Sequence, residues 1–116
     1  MAWSDGTTND LFLRSTTSLV QNDWYMLTFI MLDGDQRIYR NNSLDTSGTY
    51  SFSTGLGNGN PSSSDWLFIG CRGAGNSPAS AQFGGKIASV AIYERELTAS
   101  ERLQNYQHYQ TLYPIC

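Results

Sequence analysis

Apolar and polar residues alternate along most of the chain, and the pattern changes to helical spacing only near the C-terminus. Asn9–Val20 alternates loosely, with Leu11, Leu13 and Leu19 on matching parity, and predicts one or two short strands. Trp24–Leu32 is rich in aromatic and β-branched residues and predicts a longer one. Asp33-Gly34 is a two-residue hairpin signal, because both central positions of a type I′ turn need positive φ. Gln36–Arg40 then returns as the partner strand. Asn41-Asn42 predicts a second turn, since Asn tolerates the left-handed region, and Leu44 leads the chain outward again. Thr49–Ser53 alternates with Tyr50 and Phe52 on one face, and Trp66–Gly70 reads as a short buried strand. Thr54–Asp65 and Cys71–Gln82 are rich in Gly, Asn and Ser and read as long loops.

The last third carries the clearest local chemistry. Gly84-Gly85 allows a tight turn into a predicted strand over Lys86–Tyr93. Ala88, Val90 and Ile92 share one of its faces, and Ile87, Ser89, Ala91 and Tyr93 the other, as in a central strand packed on both sides. Thr98-Ala99-Ser100-Glu101 is a capping box: the Thr98 hydroxyl can accept from the Glu101 amide while the Glu101 carboxylate accepts from the Thr98 amide. A helix is therefore expected from about Ala99 to Tyr109, with Leu103 and Tyr106 as its apolar face. Short strands, frequent turns and one closing helix predict a single antiparallel all-β domain over residues 1–116, a sandwich or jelly roll.

Composition narrows the function classes. The chain has 116 residues, 40% hydrophobic, enough for one globular core. Only 15% of residues are charged, below the roughly 25% of an average domain, so Ser, Thr, Asn and Gly carry the polarity. Net charge is -3 and the seven Lys and Arg residues are scattered, so the basic stripe of a nucleic-acid surface is missing. No apolar run reaches the ~20 residues of a membrane-spanning helix. The first ten residues show neither a basic start nor an apolar h-region, so synthesis in a cytoplasm, or excision from a longer chain, is expected. On that basis Cys71 and Cys116 are expected to be reduced thiols, although one bridge between them is open on paper.

Candidate chemistry is sparse. Glycoside hydrolysis needs two carboxylates facing each other across a cleft. Glu94 and Glu96 fall in the turn after the Tyr93 strand, and Glu101 is committed to the helix cap, so no enzymatic activity and no catalytic residue is expected. His108, the only histidine, reads as a surface residue. Asp23, Asp33 and Asp35 are the weak candidates for calcium, because hard cations want clustered oxygens, but Asp-Gly at a hairpin is mostly turn chemistry; no cofactor is expected. Asn58, Asn60, Arg72 and Asn76 lie on the two long loops and are the candidate contacts for a glycan or a protein partner. Asn41-Asn42-Ser43 fits a glycosylation sequon, inert without export.

Three stretches, in order, resemble one family. Gly85, Ile87, Val90, Ile92, Tyr93, Leu97, Thr98 and Glu101 are similar to the closing strand and helix start of concanavalin A-like, laminin-G-type domains. Trp24, Asp33, Gly34, Tyr39 and Asn41 resemble that family's central hairpin, and Trp66–Gly70 its strand ending in Ile-Gly. The match runs from Trp24 to about Tyr109; Asn42 stands where the family usually has Gly, and only about 23 residues precede Trp24 where the family usually has several more strands. The resemblance implies a two-sheet antiparallel jelly-roll sandwich with one short C-terminal α-helix packed across an edge or end. Its members include lectins, glycan hydrolases, adhesion modules and structural modules of phage and cell surfaces, so fold alone does not choose among them. With no catalytic set in view, the expectation is a non-enzymatic assembly or adhesion module. That module is expected to self-associate as a homo-oligomer within a larger assembly such as a capsid or tail, at the virion surface. A glycan-binding lectin module, extracellular or on a cell surface, is the alternative, and a degenerate glycan hydrolase a distant third.

Overall fold

The computed structural model describes residues 2–4, 10–32, 35–49, 69–74, 77–80 and 82–115. The chain divides into two compact units, Met1–Asn58 with Tyr93–Cys116, and Gly59–Ile92. The first unit holds strands β1 (Ala2–Ser4), β2 (Asp10–Phe12), β3 (Leu27–Leu32), β4 (Asp35–Arg40) and β5 (Ser43–Thr49), and helix α1 (Ala99–Leu112). β1 pairs antiparallel with β2, and β3-β4-β5 form an antiparallel three-stranded sheet in chain order. The second unit contains the antiparallel pair β6 (Arg72–Ala74) and β7 (Ser77–Ser80). Among the described residues, no helix is long and apolar enough to cross a membrane.

The three-stranded sheet follows from its turns. Asn41 and Asn42 take φ of 48° and 63°, the paired positive values of a type I′ connection, so two residues reverse the chain between β4 and β5. Asn41 also ties this turn to the approach to β3: its Oδ1 accepts from the Met26 amide at 3.0 Å, and its own amide donates to the Met26 carbonyl at 2.9 Å. The β3–β4 register is regular, with Phe29 opposite Ile38 and Ile30 opposite Arg37. Directly opposed residues share a face, so Leu27, Phe29 and Met31 lie with Gln36, Ile38 and Arg40. Thr28 and Ile30 lie with Arg37 and Tyr39 on the other.

Leu13, Ile30, Ile38 and Leu97 are the buried apolar residues among those described, and Gln36 and Arg102 are buried beside them. Ile38, at 2% exposed on the central strand, is the best-covered of the apolar ones. The capping box forms as expected: the Glu101 amide donates to Thr98 Oγ1 at 3.2 Å, and the Thr98 amide donates to Glu101 Oε2 at 2.8 Å.

Several expectations are corrected. The helix runs to Leu112 rather than Tyr109, and its covered residue is Arg102, whereas Leu103 is 42% exposed. A helix whose last ten residues are Leu-Gln-Asn-Tyr-Gln-His-Tyr-Gln-Thr-Leu has no continuous apolar stripe to bury. The long strand begins at Leu27, not Trp24; Trp24 is half-buried and makes an isolated parallel bridge to Ile115. Residues 86–93 form no ladder among the described residues, and their apolar side chains are exposed, Ile92 by 72%. Alternation shows that a segment can face two ways; a strand also needs a hydrogen-bonded neighbour. The stretch read as one loop over Cys71–Gln82 contains the β6–β7 pair, around the Gly75-Asn76 dipeptide that suits a two-residue hairpin. In the Asn9–Val20 segment one short strand forms as expected, Asp10–Phe12. Tyr50, Phe52, Thr54–Asp65 and Trp66–Phe68 lie outside the described residues.

Candidate functional site

A shallow cleft of about 450 Å³ lies where β4 meets the start of α1, lined by Arg37, Glu96, Leu97, Thr98, Ala99 and Arg102. β4 supplies Arg37 and Tyr39 from alternate positions on one face, and the segment entering α1 supplies the rest. Arg37 makes a two-pronged pair with Glu96, Nη1 to Oε1 at 2.9 Å and Nη2 to Oε2 at 2.9 Å. Its Nε lies 2.9 Å from Asp35 Oδ2, close enough for charge attraction but without hydrogen-bond alignment. These contacts raise the Arg37 pKa, with the hydrogen bonds to Glu96 the largest cause.

Arg102 is 9% exposed and reaches back across the helix start. Its Nη1 donates to the Leu97 carbonyl at 2.8 Å, and its guanidinium carbon sits 4.3 Å from the Tyr39 ring centroid. That is cation–π geometry, stronger here because the guanidinium is desolvated. Arg95 grips Glu101 with both prongs, Nη1 to Oε2 at 2.9 Å and Nη2 to Oε1 at 2.6 Å. The Arg95 guanidinium and then the Thr98 amide hold the Glu101 carboxyl at about 2, well below the usual carboxylate range.

Chemically, the cleft is a lock. Glu96, Glu101 and Asp35 each face an arginine, and Arg37 joins β4 to the segment that enters α1. Glu101, held ionised in this way, makes a poor proton donor.

A second carboxylate clamp fastens the loop before β3. Asp45 on β5 accepts from the Thr16 amide at 2.9 Å, and Thr16 Oγ1 donates to the Asp45 carbonyl at 3.1 Å. The hydroxyls of Thr17 and Ser15, then the Thr16 amide, lower the Asp45 carboxyl to about 2. Both carboxyls therefore sit lower in the folded chain than in the unfolded one. Their contribution is fully present above pH 4.5 and is lost as pH falls toward 2. The melting temperature is expected to drop through that window, and less steeply in Asp45→Asn, which has already lost its share at neutral pH. Equal acid slopes for the two proteins would show that the Asp45 clamp is not formed in solution.

Of the residues singled out in the sequence, Asn58, Asn60, Asn76 and Asp33 lie outside the described residues. Arg72 opens β6 in the second unit. Asp23 accepts from the Tyr25 hydroxyl at 3.4 Å, and Asp35 is beside Arg37, whose charge opposes a cation there. Among the described residues, no three His, Cys, Asp or Glu side chains come together to hold a metal. Cys71 is a free thiol; Cys116 lies outside the described residues. Sequence reading missed Arg37, Tyr39 and Arg102, whose roles depend on partners about sixty residues away in the chain.

The C-terminal end of α1 carries a different chemistry, with half-buried rings. Trp24 packs on Tyr113 with ring centroids 5.3 Å apart, and Tyr109 lies 6.5 Å from Tyr113 at an interplanar angle of 27°. His108 meets the Tyr109 ring edge-on at 5.5 Å. Gln104, Asn105, Gln107 and Gln110 share the same stretch, which has no Asp, Glu, Lys or Arg after Arg102.

A laminin-G-type family model, described as the concanavalin A-like lectin/glucanases superfamily, matches residues 1–101. No curated protein sequence matches. A crystal structure of an S-layer domain-containing protein (residues 221–444) from Clostridium thermocellum ATCC 27405 is similar in fold, with a TM-score of 0.58 at 21% identity. The likeness covers 79% of this chain and 43% of that one, so the chain spans less than half of the structure it resembles. With the closing strand motif, the central hairpin and the capped helix in the same order, the chain belongs to the laminin-G-type group of the concanavalin A-like lectin/glucanase superfamily.

Proposed function

We propose that this chain is a non-enzymatic binding or structural module of jelly-roll type, displayed on a surface assembly and self-associating there. The observation that carries the reading is the contrast between its two chemical surfaces. Glu96, the carboxylate lining the β4–α1 cleft, is tied to Arg37, while β3 presents Leu27, Phe29 and Met31 to solvent. The first contributes to holding the chain together, and the second offers apolar surface to a partner. The similar structure belongs to an S-layer domain-containing protein, which supports a cell-surface setting over the virion surface expected from the sequence.

Molar mass by light scattering behind a sizing column tests the reading. A closed oligomer over a range of micromolar concentrations is the expected result. A monomer throughout overturns self-association and brings forward a second reading, a glycan-binding module. That reading is favoured by the half-buried Trp24, Tyr109 and Tyr113 rings beside uncharged amide side chains on α1. Aromatic faces and amides are the groups that neutral sugars meet.

A further inference from the structure

The lining of the β4–α1 cleft does not balance its charges. It holds two guanidiniums, Arg37 and Arg102, and one carboxylate, Glu96. Both Glu96 oxygens are engaged by Arg37, and both Glu101 oxygens by Arg95. Among the described residues Arg102 therefore has no carboxylate of its own, although it is only 9% exposed. A cation so well covered is ordinarily paired.

The free part of that guanidinium has a definite shape. Nη1 donates to the Leu97 carbonyl, and the guanidinium carbon lies over the Tyr39 ring. Nε is shielded from solvent and has no acceptor among the described residues. Nε and Nη2 together make the side-on edge of the fork, whose two parallel N–H groups match the two oxygens of one carboxylate. α1 opens onto the same cleft through Thr98 and Ala99. The first amides of a helix have no partner within it. Here the Thr98 amide donates to Glu101 and the Glu101 amide to Thr98, which leaves those of Ala99 and Ser100. Amides in that position favour a negative charge.

We propose that the β4–α1 cleft binds one small organic carboxylate, held by the Nε–Nη2 edge of Arg102 and the first-turn amides of α1. The site goes beyond the surface-module reading and does not depend on self-association. A monoanion is the match, because a single positive charge in the lining is left over once Glu96 has met Arg37. A phosphate dianion leaves a surplus negative charge beside Glu96. Leu97 and Ala99 complete the lining and suit the short carbon chain of a small acid. A cleft of about 450 Å³ is of the size that small-molecule sites have.

The Nε–H groups of arginines give their own signals in nitrogen-correlated NMR spectra of isotope-labelled protein, and Arg102→Lys identifies the Arg102 signal by its loss. Sodium acetate is the probe, titrated at constant ionic strength against sodium chloride. A saturable shift of the Arg102 Nε–H signal, together with the Ala99 and Ser100 amides, is expected. Ala99→Glu sets a fixed negative charge at the first helical position, where helices favour one, so the fold is kept. It is expected to weaken acetate binding by about tenfold or more. Inorganic phosphate, held as the dianion, is expected to bind more weakly than acetate. A shift that grows without saturating, or that chloride reproduces, overturns the site. Acetate affinity unchanged by Ala99→Glu overturns the placement at the start of α1, and tighter binding of phosphate overturns the choice of a carboxylate.

Discussion

Replacing Ile38 with alanine is expected to lower the unfolding free energy by about 3 kcal/mol, in the range for deleting a buried branched side chain. Ile38 is 2% exposed, sits on the central strand and stands opposite Phe29. It is the best-covered apolar side chain among the described residues, so its deletion removes surface that is almost wholly buried. Urea denaturation reads the change as a lower midpoint with an unchanged slope. Ile92→Ala, at a side chain 72% exposed, is the control and is expected to stay within about 0.5 kcal/mol. Equal losses for the two variants would mean that burial at Ile38 is not what the β4 position supplies.

The second large effect is at Arg102. Arg102→Ala removes the stacking on Tyr39 and leaves the Leu97 carbonyl without its 2.8 Å donor in a buried place. A loss of about 2–3 kcal/mol is expected, most of it from the unpaired carbonyl and the emptied space rather than from the charge. Arg102→Lys separates these contributions. Lysine keeps the charge and much of the stem but has no planar group to lie on a ring while also donating sideways. It is therefore expected to recover about half of the loss. Full recovery by lysine would show that charge alone matters at this position and that the geometry over Tyr39 is incidental.

The Arg102 result bears on how the helix is attached. Helices on sheets usually dock through an apolar stripe, and α1 has none. Its start is joined to β4 instead through Arg102 on Tyr39 and, just upstream, Glu96 on Arg37. Such pairs fix orientation well, because a guanidinium meets a carboxylate or a ring in few geometries. The same sheet face supplies both anchors, Arg37 and Tyr39, two residues apart on β4.

This attachment explains what could be read from the chain in advance. The Asn41-Asn42 turn, the β3–β4 hairpin and the Thr98–Glu101 capping box were legible because each is made by residues within a few positions of one another. The family resemblance rests on those same local motifs. The arginine anchors were not legible, because nothing near Arg102 in sequence announces that Tyr39 lies beneath it. Spacing alone places Leu103 and Tyr106 on the inward face, yet Arg102 is the covered residue of α1, Leu103 is exposed and Tyr106 is half-buried. Lys86–Tyr93 shows the opposite error: its alternation is strong, but its described neighbours offer it no ladder. The β6–β7 pair was missed because its residues are small and polar and carry little apolar signal.

The central claim is that the start of α1 is held on β4 by Arg102 lying over Tyr39. A double-mutant cycle of Arg102→Ala and Tyr39→Ala, read by urea denaturation, tests it most directly. The account predicts that the two losses are coupled by about 1 kcal/mol or more. Losses that simply add would contradict it.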